Sequence, residues 1–184
     1  MSDTPRIEPL PPADREPRTE ELLRSLRFEP DGEDLNLFTT LARHPRLLKR
    51  WSAFGGLLLT GGVLPARDRE VLILRTAANT GADYEWGHHL PIGRSTGLSD
   101  DEMAGLASTE AVTGSAHDAV LVRAADELHI DAVISDATWA ALAEVYDTQQ
   151  LIEVPMVVGQ YHLVAFTLNS LGVQLEAGFE GPPR

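Results

Sequence analysis

The run Arg69-Glu70-Val71-Leu72-Ile73-Leu74-Arg75-Thr76-Ala77-Ala78 is followed, beyond Gly81, by Tyr84-Glu85-Trp86-Gly87-His88-His89. The first run decides the fold. Its apolar residues fall on nearly every side of a helix beginning near Pro65, so that helix is predicted to be central and buried. The second run places an acid, two aromatics and two imidazoles within six residues. On a helix, Glu85 and His89 are four apart and share a face, while Glu85 and His88 are three apart on the neighbouring row. A carboxylate beside an imidazole is the ordinary equipment for moving protons near neutral pH. A solvated polar end of a core helix, anchored by Trp86, is the bland alternative.

Outward from these runs the pattern stays helical. A first helix capped by Thr19 carries Leu22, Leu23, Leu26 and Phe28. A second spans about Leu35 to Arg43, and a third runs from Pro45, a residue suited to a helix's first turn, to about Leu59. The helix of the acid–imidazole window ends near Ser95, with Gly97 as its stop. Ser99-Asp100-Asp101-Glu102 is a capping box, Ser115 to Asp118 opens a further helix, and Ser135 or Asp136 the next. Asp147-Thr148-Gln149-Gln150 caps a long apolar helix to about Leu171, in which Pro155 is expected to produce a kink or a break. No alternating run of strand type occurs, so the class is all-α. Residues 1–17, with Pro5, Pro9, Pro11, Pro12 and Pro17 among charges, read as a flexible arm. Residues 18–177 form one helical domain, and 178–184 a tail.

The 184 residues, 43% hydrophobic, suffice for one domain with a real core. The 28 acids against 15 bases leave a net charge of -13, which opposes a nucleic-acid backbone or an anionic membrane as partner. Any anionic substrate must therefore be held by local Arg or His. Cysteine is absent, which removes disulfides, thiolate metal sites and thiol catalysis together. No secretory signal and no apolar run of membrane-spanning length is expected, so the cytoplasm is the default compartment.

Among candidate residues, Glu70 shares a helical face with Ile73, Leu74 and Ala77. A carboxylate on an apolar stripe is costly to bury unpaired; in a helix's first turns, negative charge also simply suits the macrodipole. His88 and His89 point about 100° apart on a helix, so His89, on the face of Glu85, is the first choice. One carboxylate and one imidazole make a weak metal site, and no metal is expected. His162 reads either as a core histidine or as a substrate contact. Tyr84 and Trp86 suit a pocket wall or the core. Arg75 is the cation chosen for a substrate carboxylate, with Arg94, Arg69 and Arg67 as equal options. No Gly-x-Ser-x-Gly elbow and no Gly-rich phosphate loop is present.

In order and spacing, Glu70, Gly81, Tyr84-Glu85-Trp86, His89 and Gly97-Leu98-Ser99 resemble the carboxymuconolactone decarboxylase family and its alkylhydroperoxidase D-like relatives. Tyr161, Leu168-Asn169 and Leu171-Gly172-Val173 resemble that family's last core helix. The likeness covers roughly residues 35 to 176. The peroxidase branch of the family uses a Cys-x-x-Cys pair followed by His; here those Cys positions are Ala82 and Glu85, so thiol peroxidase activity does not carry over. The resemblance implies an alkylhydroperoxidase D-like helical bundle assembling into trimers or hexamers, with the site near a subunit interface. It implies catalysis by Glu70, Glu85 and His89 without metal or organic cofactor; Tyr84, Trp86, His88, Arg75 and His162, from the reading of the residues themselves, are the candidate contacts to a small-molecule substrate. Decarboxylation of a carboxylated lactone is the reaction implied, with proton transfer or ring opening on another cyclic substrate, or a non-catalytic binding scaffold, as alternatives. A carboxylate beside the breaking bond opposes the reaction unless protonated, so a raised pKa is expected for Glu70 or Glu85.

Overall fold

The computed structural model describes residues 4–27, 32–108 and 115–183, and the described residues are helical with no strand. Phe28, which the periodicity adds to the first helix, lies outside them, as do residues 1–3 and 184 at the ends of the arm and tail. The helices are α1 (Pro17–Ser25), α2 (Asn36–Leu41), α3 (Pro45–Gly56), α4 (Ala66–Thr80) and α5 (Asp83–Ser95), followed by α6 (Asp100–Ala107), α7 (Ala116–Asp131), α8 (Asp136–Ala143) and α9 (Thr148–Leu171). One wider π-turn segment, Leu57–Gly61, continues α3.

The caps are those that the side chains dictate. Ser99 and Asp147 each form a reciprocal capping box, with Glu102 and Gln150. Ser115 and Ser135 cap α7 and α8. Thr19 is instead buried inside α1, whose N-cap is Glu16 with Pro17 in the first turn. Gly81 ends α4 in the left-handed conformation at φ 61°, a geometry that glycine adopts without a Cβ clash.

The core is built around α4. Val71, Leu72, Ile73, Leu74 and Ala77 are all essentially inaccessible and pack among Trp86 of α5, Met103 of α6, Leu121 of α7, Leu142 of α8 and Val157 of α9. A second apolar cluster joins α1, α2 and α3 through Leu23, Phe38, Leu48 and Trp51. A third, containing Leu37, Tyr84, Val164 and Leu168, seats α2 and α3 on α5 and α9.

Three features depart from expectation. Pro155 lies inside α9, which nevertheless runs unbroken from Thr148 to Leu171. The buried residues Val154, Val157 and Val158 on either side hold the helix in the core, which offsets the one hydrogen bond that proline cannot donate. The helix, 24 residues long, is also apolar enough to cross a membrane by length and composition, with a mean hydropathy of 1.4 over an 18-residue window, although no such run was expected.

The N-terminal arm, expected to be flexible, lies along the body. The Arg6 and Ile7 N–H groups donate to the Leu171 carbonyl, Leu10 N–H donates to Thr39, and Arg43 Nε donates to the Glu8 carbonyl. Prolines stiffen the arm, and backbone hydrogen bonds at the C-terminus of α9 give it a partner.

Candidate active site

Three helices bring the sequence-singled residues together. Glu70, in the second turn of α4, is fully buried. Its Oε2 accepts a hydrogen bond from His89 Nδ1 of α5 at 2.7 Å, and Arg69 Nε lies 3.3 Å from Oε1. This bond fixes the imidazole and leaves Nε2 as its free nitrogen. The edge of His89 meets the ring of Tyr161 of α9, the centroids 5.0 Å apart at 89°. Glu70, rather than Glu85, thus orients His89.

Glu85 sits one helical turn before His89. It is 2% exposed, and neither carboxylate oxygen has a hydrogen-bond partner. Burial pushes its pKa well above the ordinary carboxylate range. Burial thus favours its protonated, neutral form over the carboxylate. Tyr161 is pushed up as well, first by burial and then by the neighbouring Glu70 and Glu85 carboxyls.

Glu85 and His89 line a cavity of about 320 Å³ between the N-terminal helices and the α5–α9 pair. Its walls are Leu37 and Phe38 of α2, Trp51 and Gly55 of α3, Tyr84, His88 and Ile92 of α5, and Gln160, Tyr161, Val164 and Leu168 of α9, with Arg27 also on the lining. The walls are mostly apolar. Arg27 is engaged by Asp34, whose oxygen lies 2.6 Å from its Nε. Gly55 permits the close approach of Gln160, whose Nε2 would lie 3.1 Å from an added Cβ.

Tyr84 and His88 belong to a second network. The Tyr84 hydroxyl donates to Glu176 Oε1 at 2.8 Å and accepts from the Leu37 N–H, while His88 Nε2 donates to Glu176 Oε2 at 2.6 Å. Asn36 N–H adds a third hydrogen bond to Glu176. Burial alone would push the Glu176 carboxyl up; its hydrogen bonds from His88, Asn36 and Tyr84 outweigh that and hold it below the ordinary range. The residues after α9 cross α5 here, with Glu180 O against Gly87 and Phe179 stacked on His88, ring centroids 4.2 Å apart.

Three of the sequence candidates lie elsewhere. Arg75 is five residues beyond Glu70, so it leaves the other side of α4. It pairs with Asp126 of α7 at 2.6 and 2.9 Å and donates to the Leu106 and Ser108 carbonyls, which locks α4, α6 and α7 together. His162 points away from the cavity, 100° round from Tyr161, with its ring nitrogens on the Val158 carbonyl and His129. Trp86 is 1% exposed in the α4 core and does not line the cavity. Arg67 is bound by Asp118 and Glu102, and Arg94 by Asp100. No grouping of three or more His, Asp or Glu suited to a metal ion occurs among the described residues.

Trp51, Gln160, Tyr161 and Glu176 take part although sequence reasoning gave them no site role. The Trp51 Nε1 is buried without a partner. Its only sequence signal is an aromatic one turn before Gly55-Gly56; Glu176 has none, since it follows the end of α9.

With this geometry in place, comparison with known proteins is informative. The sequence model of the Carboxymuconolactone decarboxylase family matches residues 45–127, a span that holds Glu70, Glu85 and His89. Over that span the chain is similar to the carboxymuconolactone decarboxylase family. No curated protein matches it in sequence.

The fold is shared with several solved structures. An uncharacterized peroxidase-related protein from Ralstonia eutropha JMP134, with an alkylhydroperoxidase AhpD core, superposes with a TM-score of 0.82 at 17% identity, covering 96% of this chain and 95% of that one. A peroxidase-related protein from Silicibacter sp. TM1040 gives 0.75 at 18% identity, covering 100% and 95%. The debrominase Bmp8, solved with 2,3,4-tribromopyrrole, gives 0.70 at 17% identity, covering 96% and 95%. At these identities the likeness establishes the fold.

Proposed function

We propose that this protein is an acid–base enzyme acting on a small cyclic substrate, and that its reaction is decarboxylation of a carboxylated lactone or a similar ring. One observation carries the reading: a carboxylate-held imidazole and a buried, unpartnered carboxyl line the same mostly apolar cavity. The volume suits a single ring with short substituents. The debrominase neighbour, seen with a halogenated pyrrole, shows that a protein of this fold takes a ring of that size.

The chemistry follows from the residues. Apolar walls strip water from a substrate carboxylate, which disfavours the ground state more than the charge-dispersed transition state. As the C–CO2 bond breaks, its electron pair passes into the adjacent carbonyl and forms an enolate. The Glu85 carboxyl, being neutral, donates a hydrogen bond to that oxygen, where an ionised carboxylate would repel it. His89 then delivers a proton from Nε2 to the carbon that lost CO2, its ring steadied through Nδ1 by Glu70, and takes a replacement proton from solvent. Tyr161 fixes the other edge of the imidazole. Thiol chemistry is outside this scheme, because the chain has no cysteine.

The test is turnover of a panel of carboxylated lactones, followed by CO2 release. His89→Gln is expected to lower kcat on the order of 100-fold or more, the scale of a general acid–base group. Glu70→Gln is expected to lower kcat while KM changes little. Undiminished turnover in His89→Gln would sink the assignment. If the wild type released no CO2 from any member but exchanged ring protons with solvent in a His89-dependent way, proton transfer would replace decarboxylation on the same site.

A further inference from the structure

The cavity holds a second set of polar groups, which the acid–base pair leaves unused. Among the described residues its only Lys or Arg is Arg27, whose guanidinium is engaged by Asp34 and, at 3.7 Å, by Glu20. An anionic substrate thus finds no uncommitted Lys or Arg on these walls. The Ser52 and Thr60 hydroxyls are spent on carbonyls one turn back, and Tyr84 donates to Glu176. The remaining side-chain donors are neutral: the Trp51 indole N–H, the Gln160 carboxamide and the Tyr161 hydroxyl.

Two of these donors share a corner. Trp51 Nε1 is buried without a partner. Gln160 is 5% exposed, and its carboxamide bonds to none of the described residues. Trp51 lies one turn before Gly55 on the same side of α3, and Gln160 Nε2 reaches across from α9 to within 3.1 Å of where a Gly55 Cβ would stand. A buried donor left unpaired costs free energy that a bound acceptor recovers. This corner belongs to α3 and α9, whereas Glu85 and His89 stand on α5. Tyr161 differs from the pair: its ring abuts His89, and its hydroxyl lies in the field of the Glu70 carboxylate, which repels an anion.

We propose that the Trp51 indole N–H and the Gln160 carboxamide receive the substrate carboxylate that leaves as CO2, and that the site thereby selects a ring carrying a single acid group. The assignment rests on the decarboxylation reading above. Neutral donors suit a leaving carboxylate. As the C–C bond breaks, negative charge moves out of that group and into the ring. A cation beside it would stabilise the ground state more than the transition state and slow the step. Two N–H groups fix its orientation and restore less of what desolvation contributes. A second acid group on the ring would meet apolar wall or the Glu70 side of the cavity, with no donor left to receive it.

The test uses furan-2-carboxylate as a stable ring acid, 2-methylfuran as its neutral counterpart and furan-2,5-dicarboxylate as the doubly charged one. The chain has three tryptophans, so the isotope-labelled protein gives three indole N–H signals in NMR, and Trp51→Phe identifies that of Trp51. Furan-2-carboxylate is expected to move the Trp51 signal downfield, and 2-methylfuran to leave it in place. By calorimetry, Gln160→Leu is expected to weaken furan-2-carboxylate about 10- to 100-fold, the scale of a hydrogen bond to a charged group, and 2-methylfuran hardly at all. The ratio of the two affinities is the readout, since a variant that merely loosened the cavity would weaken both alike. The dicarboxylate is expected to bind more weakly than the mono-acid. Failure of furan-2-carboxylate to bind, binding that leaves the Trp51 signal unmoved, an unchanged ratio in Gln160→Leu, or tighter binding of the dicarboxylate would each overturn the proposal. Binding requires no turnover, so the two readings fail separately. If no CO2 is released yet these results hold, the carboxylate subsite stands and the reaction falls; His89-dependent CO2 release with an unmoved Trp51 signal does the reverse.

Discussion

An ionised carboxylate with no hydrogen bond inside a protein costs several kcal/mol, so the fold favours the protonated form of Glu85. That sets a sign for stability. The folded chain holds the Glu85 proton above the pH at which the unfolded chain loses it, so stability is full below the ordinary carboxylate pKa. It is lost as pH rises from there toward the raised folded pKa, at up to ~1.4 kcal/mol per pH unit. Glu85→Gln, which keeps the shape without the ionisation, is expected to be more stable than the wild type at pH 8 and nearly equal at pH 4, read by urea melts. An equal gap at both pH values would show that Glu85 is ionised in the fold. Glu70 and His89 were both legible in sequence, as a buried-face acid and an imidazole. Their direct contact was not, because the residues lie 19 apart on different helices and only the α4–α5 packing brings Nδ1 within 2.7 Å of Oε2.

At the scale of elements, the segment after α9 acts as a strap. Glu176 ties α2 to α5 through Asn36, Tyr84 and His88, and Phe179 caps His88. Hydrogen bonds to a charged group contribute about 1.5–3 kcal/mol, and Glu176→Gln is expected to lose an amount of that order in chemical denaturation. The Glu176 pKa is depressed in the fold, so its contribution is present above the ordinary carboxylate pKa and fades as pH falls through the lowered folded value. A wild type that lost no more stability on acidification than Glu176→Gln would contradict this role. Helix existence and the caps at Ser99, Ser115, Ser135 and Asp147 were legible because they depend on local spacing and side chains, whereas the Thr19 cap was misplaced because Pro17 opens α1 earlier. The fate of Arg75, the continuity of α9 through Pro155 and the docking of the arm were not. Each is decided by a partner remote in sequence: Asp126 for Arg75, the α4 core for Pro155, and the Leu171 carbonyl for the arm.

For the whole molecule, the net charge of -13 governs how copies meet. Any association between copies of so acidic a chain works against long-range repulsion, which salt screens within a Debye length of about 10 Å at 0.1 M. Association between copies, expected from the family resemblance, is therefore expected to strengthen as ionic strength rises, measured by sedimentation equilibrium. Weaker association in high salt would indicate an interface built on ion pairs instead. α9 meanwhile supplies one wall of the cavity through Gln160, Tyr161, Val164 and Leu168.

The central claim is that His89, oriented by Glu70, places a proton on the ring carbon that loses CO2. Turnover of a carboxylated lactone in deuterated water, with the product examined by NMR and mass spectrometry, tests it most directly. A single deuterium is expected, on one face of that carbon only, with loss of the facial preference together with the rate in His89→Gln. Equal labelling of both faces by the wild type would show that solvent, not His89, protonates the carbon, and would contradict it.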